Sequence, residues 1–168
     1  MKKLLVLILC ILLPVLAGCA SDKKEQPVPK PPKTDTTHLT AEQRGITIKV
    51  SREIRNLSRM IKSSKEGHQV VSMQVAVEND SKDNVSISPD FVTLKTVDGT
   101  EYKYSPDLTE TVTSKASFKK VTLPPDYRGG GLLIFEIKQG AKIESLQYKD
   151  GAGRDIPIKF SSEEKTNI

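Results

Sequence analysis

The stretch His68-Gln69-Val70-Val71-Ser72-Met73-Gln74-Val75-Ala76-Val77-Glu78 decides the fold of this chain. From position 71 to position 77 every second side chain is apolar, and most of the residues between them are polar. Successive side chains of a strand point to opposite faces, so a period of two is typical of a half-buried antiparallel strand. The next residues, 79–84, are of the types that form turns. The pattern therefore predicts one long strand that ends in a turn.

Shorter segments of the same kind precede and follow this strand. Ile46, Ile48 and Val50 alternate with polar residues, and segments 91–97 and 100–104 flank Asp98-Gly99, a strong signal for a hairpin. Further strands are predicted at 132–137, 143–148 and 156–160. About six to eight short strands at even spacing predict an all-β fold, an antiparallel β-sandwich, over residues 45–160. Residues 161–168 are expected to form a polar tail.

The composition narrows the class of protein. The chain has 168 residues, with 26 Lys and Arg against 21 Asp and Glu, no Trp, two His and two Cys. This length is typical of one domain. So few His and Cys exclude a disulfide-stapled miniprotein and leave little from which to build a metal or haem site. We expect a small polar domain with no cofactor and no metal.

The N-terminus has the features of a lipoprotein signal peptide, residues 1–18. Two lysines precede an apolar run of 13 residues, which is shorter than the roughly 20 residues that a membrane-spanning helix needs. Leu16-Ala17-Gly18-Cys19 then resembles the lipobox of bacterial lipoproteins. The resemblance implies cleavage between Gly18 and Cys19 and a diacylglycerol anchor on Cys19, which holds a protein stably at a membrane.

Residues 19–44 are a predicted tether. Four prolines and four lysines lie between residues 20 and 40, where apolar side chains are scarce. Such a segment cannot bury enough apolar surface to offset its ordering entropy, and its prolines favour an extended chain. We expect a disordered linker that displays the domain at the extracytoplasmic face of the cell membrane. Because Cys10 leaves with the signal peptide and Cys19 is lipidated, the mature chain would have no free thiol.

One segment, residues 51–62, fits two structures. Arg52, Arg55 and Arg59 recur at helical spacing, and a basic helical stripe suits anionic lipid or an anionic wall polymer. The alternative, which we favour, is a strand that ends in a polar loop with solvated charges. In both cases these three arginines, with Lys119 and Lys120, form the predicted interaction surface. An exported chain with few aromatic side chains is not expected to bind nucleic acid.

Three sequence motifs in this order resemble those of a known protein family. They are a strand ending in Asn, a hairpin, and a proline–glycine approach to a late strand: Val71-Ser72-Met73-Gln74-Val75-Ala76-Val77-Glu78-Asn79, Phe91-Val92-Thr93-Leu94 with Asp98-Gly99-Thr100-Glu101-Tyr102, and Leu123-Pro124-Pro125 with Gly130-Gly131-Leu132-Leu133-Ile134-Phe135-Glu136-Ile137. Their order resembles that of the DUF4352 type of secreted and lipid-anchored bacterial domains. The resemblance covers residues 45–160 and implies an immunoglobulin-like antiparallel β-sandwich, related in fold to the mycobacterial immunoprotective extracellular protein. Asp126-Tyr127-Arg128 departs from the family, which usually has Gly soon after the proline.

Candidate catalytic and metal-binding residues are few. A Ser-His-Asp triad would have to use His68, because the other histidine lies in the predicted tether. Asp80 with Asp83, and Asp150 with Asp155, offer oxygen ligands for Ca²⁺, but both pairs lie where turns require such residues. The family resemblance supplies no catalytic residue. We therefore expect no enzyme activity.

A glycine triplet, Gly129-Gly130-Gly131, also lacks the context of a phosphate-binding loop. No Gly-Lys-Ser/Thr follows it, and the next predicted element is a strand. The triplet indicates a bulge or a close backbone contact at the entry to a sheet.

The functional hypothesis that follows is a lipid-anchored binding module of the bacterial cell envelope. Its partners would be the membrane, through the diacylglycerol anchor, and an envelope protein or an anionic wall polymer. The alternatives are a structural scaffold without a discrete ligand and an envelope hydrolase that uses His68.

Overall fold

The structure is a computed structural model in which residues 36–160 are described. Within them the chain forms eleven strands and one α-helix: β1 His38–Gln43, β2 Ile46–Ser51, β3 Arg55–Asn56, β4 His68–Asn79, β5 Val85–Ile87, β6 Val92–Thr96, β7 Glu101–Lys103, α1 Pro106–Thr113, β8 Val121–Leu123, β9 Arg128–Lys138, β10 Ile143–Lys149 and β11 Asp155–Lys159. No helix in this range has both the length and the apolar character that a bilayer span requires. The predicted signal peptide, most of the predicted tether and the C-terminal tail lie outside the described residues.

Two antiparallel sheets face each other. In the first sheet β4 is central: β9 pairs with one edge along its whole length, and β2 and β3 share the other edge, with β1 beyond β2. The second sheet has the order β11-β10-β6-β7. A separate antiparallel pair joins β5 to β8. The predicted all-β, immunoglobulin-like antiparallel sandwich is confirmed.

The core lies between the two sheets, where the predicted alternation places it. Val71, Met73, Val75 and Val77 of β4 are fully or almost fully buried in it. The second sheet contributes the inward residues of β6, β10 and β11, among them Val92, Leu94, Leu146, Tyr148, Ile156 and Ile158. Alternation identified these strands correctly because most of the residues between the inward ones are exposed or half-buried.

The glycine triplet is the close backbone contact that its sequence indicates. A Cβ on Gly130 would lie 2.2 Å from the Val75 carbonyl oxygen, and the residue has φ +132°. A Cβ on Gly131 would lie 2.5 Å from the Ala116 carbonyl oxygen. Side chains here would separate β9 from β4 and from the segment that precedes β8.

The folded part begins earlier than predicted. Strand β1, His38–Gln43, lies within residues 19–44, which we assigned to the tether, and it pairs with β2 so that His38 is opposite Ser51. This boundary is therefore corrected. The strand was missed because its inward residues, Leu39 and Ala41, are only half-buried and its other residues are polar.

The ambiguous segment 51–62 contains no helix. Ser51 ends β2, the two-residue strand β3 pairs with β4, and a turn follows at residues 58–60. Ile54 is buried, and the Leu57 amide donates to the Val70 carbonyl oxygen at 2.8 Å. The favoured interpretation, a strand that leads into a polar loop, is confirmed.

Helix α1 was not predicted from the sequence. Its eight residues, Pro106–Thr113, carry too few apolar side chains to show a helical period. Its position depends on tertiary contacts: the buried Thr109 hydroxyl oxygen accepts a 3.0 Å hydrogen bond from the Ile134 amide of β9.

Candidate interaction surfaces at the two ends of the sandwich

The strand directions define two ends of the first sheet. Both β1 and β4 are antiparallel to β2, so both begin at one end, where β9 terminates opposite His68. We call this the entry end, because the chain enters the domain here. The β6–β7 turn lies at the same end, since the Val97 amide donates to the Lys142 carbonyl oxygen in the β9–β10 turn. At the opposite end, the Asp155 amide donates to Gln43 Oε1 and joins the two sheets.

The predicted arginines lie towards the entry end. Arg52, Arg55 and Arg59 are all exposed. Arg55 Nε and Nη2 donate to the carboxylate of Glu53 at 2.9 and 3.0 Å. This hydrogen-bonded pair raises the pKa of Arg55 and lowers the pKa of Glu53. Because both side chains are mostly exposed, the pair contributes little to stability.

Arg55 also borders a groove on the outer face of the first sheet. The groove has a volume of about 260 Å³, with Ser72, Gln74 and Leu132 among its lining residues, and Val112 of α1 on another side. Lys119 and Lys120 are exposed and follow Ser117, which bridges to Leu132. Of the five predicted residues, Arg55 lines the groove, whereas Arg52, Arg59, Lys119 and Lys120 do not.

A buried carboxylate holds residues 63 and 64, which follow the predicted arginines in the chain, against the sheet. Glu136 of β9 accepts hydrogen bonds from the Ser63 hydroxyl at 2.7 Å, the Ser64 amide at 2.6 Å and the Ser64 hydroxyl at 3.0 Å. Burial opposes ionisation of Glu136, but these hydrogen bonds and the charge of Lys65 outweigh it, so the pKa of Glu136 is lowered. No role of Glu136 is visible in the sequence, because nothing in the pattern indicates that the outer face of β9 is covered.

We expect Glu136→Gln to destabilise the domain by about 1–2 kcal/mol at neutral pH, because a neutral amide accepts these hydrogen bonds more weakly. A lowered native pKa stabilises the folded state above the unfolded pKa of about 4.3, and this contribution is lost as pH falls through the native pKa. Urea unfolding between about pH 7 and pH 3 should therefore show the variant and the wild type converging. Glu101→Gln, at an exposed position of β7, is the control. A constant difference at all pH values would contradict this role of Glu136.

A cavity of about 270 Å³ opens at the opposite end, where Phe91, Asp150 and Arg154 are among its lining residues. Arg154 Nη1 donates to Asp150 Oδ2 at 2.7 Å, in an ion pair that is mostly buried. Tyr148 lies beneath, with its ring 5.8 Å from that of Phe91. Burial, with the charge of Asp150, raises the pKa of Tyr148, and Arg154 opposes this in part. The Tyr148 hydroxyl and Arg154 Nε have no hydrogen-bond partner among the described residues.

A second cavity at this end, of about 410 Å³, is more acidic. It is lined by Glu78, Asp80, Asp126, Tyr127 and Arg128. The Tyr127 side chain is 63% exposed, and the Asp126 backbone has φ +64°. An exposed aromatic ring among carboxylates is a surface suited to contact with another protein.

Three of the four aspartates considered for calcium have other partners for their carboxylates, and the fourth, Asp83, is engaged through its backbone carbonyl oxygen. Asp80 accepts a 2.8 Å hydrogen bond from the Thr47 hydroxyl, and Asp155 engages Gln147 and Lys149. Asp150 is paired with Arg154, and the Asp83 carbonyl oxygen accepts from Asn79. The described residues contain no group of three or more His, Cys, Asp and Glu side chains placed to hold a metal ion.

His68, the candidate for a hydrolase, begins β4 at the entry end and is half-buried. Its Nδ1 lies 2.9 Å from the Glu66 carbonyl oxygen, which orients the ring within its own turn.

The comparison with models of protein families shows the family of this chain. The model of the domain of unknown function DUF4352 matches residues 37–157, which begins one residue before β1 and ends within β11. The chain belongs to the DUF4352 family. The match includes β1 and thus agrees with the corrected start of the domain. A comparison with curated proteins finds no match.

Solved structures share the fold of this DUF4352 chain. A candidate lipoprotein, ycdA, from Bacillus subtilis has a TM-score of 0.56 at 19% identity; the alignment covers 74% of this chain but only 39% of ycdA. The yjhA protein of Bacillus subtilis has a TM-score of 0.51 at 16% identity; the alignment covers 73% of this chain and 96% of yjhA. The secreted protein MPT63 of Mycobacterium tuberculosis has a TM-score of 0.47 at 17% identity; the alignment covers 71% of this chain and 89% of MPT63. At these identities the likeness extends to the fold alone.

Proposed function

We propose that this DUF4352 protein is a lipid-anchored binding module at the extracytoplasmic face of a bacterial cell membrane. The lipobox-like sequence that ends at Cys19 supports the anchor, and the structural likeness to a candidate lipoprotein is in keeping with it. Both residues of the predicted cleavage site, Gly18 and Cys19, lie outside the described residues.

The observation that carries the binding role is that the chain enters the domain at one end and the cavities open at the other. The chain enters β1 at one end of the first sheet, and the cavities at Phe91 and at Tyr127 open at the other. A tether attached at the entry end would therefore leave these cavities facing away from the anchor. The proposed mechanism is display: the lipid sets the location, the tether sets the reach, and the opposite end contacts the partner.

The partner we propose is an envelope protein rather than an anionic wall polymer. The cavity at Tyr127 has three carboxylates, Glu78, Asp80 and Asp126, against one arginine, Arg128. Because Lys49 pairs with Glu78 at 2.8 Å, two carboxylates remain against this arginine. Carboxylates in that ratio repel a polyanion, whereas an exposed tyrosine is a common anchor in protein–protein interfaces.

The anchor is tested by mass spectrometry of the N-terminal peptide from membrane fractions. We expect a diacylglycerol on Cys19 and its complete loss, with release of the chain from the membrane, in Cys19→Ala. Cys10→Ala is a matched control: this residue lies in the predicted signal peptide, so lipidation should be unchanged. A lipid that persists in Cys19→Ala, or that disappears in Cys10→Ala, would contradict the proposal.

The display of the opposite end is tested by photo-crosslinking on intact cells. We expect a probe at position 127 to form one discrete protein adduct that a probe at position 97, equally exposed but at the entry end, does not form. Charge reversal by Asp126→Lys should reduce the adduct from a third probe, at position 152. Adducts that form equally at positions 127 and 97, or no adduct at either position, would instead favour a structural scaffold without a discrete ligand.

A further inference from the structure

The entry end carries an excess of positive charge in one loop. Residues 52–66 include five basic side chains, at positions 52, 55, 59, 62 and 65, against two acidic ones, Glu53 and Glu66. Glu53 is engaged by Arg55 within the loop. Arg59, Lys62 and Lys65 are exposed. A cluster of this kind on one loop attracts an anionic surface.

The most exposed large apolar side chains of the described residues lie at the same end. Met60 is 79% exposed between Arg59 and Ile61, and Val97, in the β6–β7 turn, is 66% exposed. An exposed apolar side chain flanked by cations is the arrangement by which a protein surface enters a lipid headgroup layer. The neighbouring Asp98 accepts hydrogen bonds from Thr96 and Thr100, which lower its pKa and keep it ionised, and the charge of Lys138, of opposite sign, acts on it from β9.

Backbone hydrogen bonds close the turn that carries Met60. The Leu57 carbonyl oxygen accepts hydrogen bonds from the amides of Met60 and Ile61 at 2.8 and 2.9 Å, which closes the turn. The Leu57 amide is bound to Val70, and Ser63 and Ser64 are bound to Glu136. The sheet therefore holds both sides of the turn and presents Met60 outward.

We propose that the entry end docks on the anionic surface of the membrane that carries the lipid anchor, with Met60 at headgroup depth. This inference rests on the proposed anchor at Cys19. Thr37, whose carbonyl oxygen accepts from the Arg52 amide, follows Cys19 by 18 residues. Such a length spans at most about 60 Å when fully extended, so the anchor brings the loop within reach of the surface without forcing contact. The charge and the apolar side chains supply the contact.

The test uses the lipidated mature chain in vesicles with about 30% phosphatidylglycerol in phosphatidylcholine, or in phosphatidylcholine alone. Lipidation consumes the native thiol, so Met60→Cys and Ala152→Cys each provide one labelling site for an environment-sensitive fluorophore, at the entry and the opposite end. On anionic vesicles we expect acrylamide to quench the label at position 60 at least about twofold less than the label at position 152. On neutral vesicles the two should be quenched alike.

Two further conditions isolate the electrostatic contribution. Raising salt from about 0.1 M to about 1 M shortens the screening length from about 10 Å to about 3 Å and should remove the protection of position 60. Adding Arg59→Glu and Lys62→Glu should lower the docked population by at least about tenfold, whereas Lys82→Glu in the β4–β5 turn should not. Circular dichroism checks that each variant is folded.

Equal quenching at positions 60 and 152 on anionic vesicles would overturn the docking proposal. A chain that lacks lipid on Cys19 would label at that thiol too and would not float with the vesicles, which would overturn the proposed anchor and this inference with it. Protection that is the same on neutral vesicles would also overturn it, because docking would then not depend on anionic lipid.

Discussion

Gly130→Ala should destabilise the domain by about 3–5 kcal/mol, which is a large part of the stability of a small domain. The added Cβ would lie 2.2 Å from the Val75 carbonyl oxygen and 2.8 Å from the Ala76 Cα. Both contacts are with backbone of β4, the central strand, so no side chain can rotate to relieve them. Gly130 also has φ +132°, where an L-residue is strained. Urea unfolding followed by circular dichroism measures the loss.

Gly151→Ala is the matched control for this substitution. A Cβ at Gly151 would meet nothing within 4 Å, and its φ lies outside the range that L side chains avoid. We expect its free energy of unfolding to stay within about 0.5 kcal/mol of that of the wild type. If both variants were equally stable, β4 and β9 would not approach each other as closely as described.

Asn79→Ala should cost about 3 kcal/mol, because one buried amide connects three segments of chain. Asn79 is fully buried at the end of β4. Its Nδ2 donates to the carbonyl oxygens of Asp83 at 2.8 Å and Leu123 at 3.0 Å, and its Oδ1 accepts from the Ser81 amide and hydroxyl. Truncation removes all four hydrogen bonds, and the loss is costliest at the Leu123 carbonyl oxygen, because its bond is buried whereas those of Ser81 and Asp83 are part-buried. Thermal or urea unfolding measures the effect.

Two variants sharpen the role of Asn79. Asn79→Asp keeps an acceptor for Ser81 but sets a carboxylate against the carbonyl oxygens of Asp83 and Leu123, so at neutral pH it should be at least as destabilising as Asn79→Ala. Asn84→Ala, at an exposed position of the same turn, should change stability by less than about 0.5 kcal/mol. A tolerated Asn79→Ala would show that the amide network does not hold the β4–β5 turn.

Much of the sandwich could be predicted from the sequence because the signal is local. In β2, in residues 71–77 of β4 and in residues 92–95 of β6, the inward residues are apolar and most of their neighbours are at least partly solvated, so the period of two is visible without knowledge of the partner strands. Strand β1 and helix α1 were missed for the opposite reason. Their own side chains carry little pattern: β1 is held by pairing with β2, the next strand in the chain, and α1 by a hydrogen bond from β9, which is adjacent only after folding.

The location of the candidate surfaces depended on the tertiary structure more strongly than the recognition of the strands did. The basic residues of the 52–66 loop are visible in the sequence, but their position towards the end where the chain enters the domain depends on the antiparallel order of β1, β2 and β4. The covering of Glu136 by Ser63 and Ser64 joins residues about seventy positions apart. No local pattern reports a contact of that separation.

The sequence by itself determined the class of fold, the DUF4352 resemblance and the prediction of an anchor at Cys19. Each depends on neighbouring residues: strand alternation, turn chemistry, and a short motif at a fixed distance from the N-terminus. Only the tertiary structure decided at which end of the sandwich β1 begins, which charges share that end with Met60, and which cavities open at the other end. The physical reason is that strand pairing across the chain, rather than the composition of any one strand, determines which loops lie together.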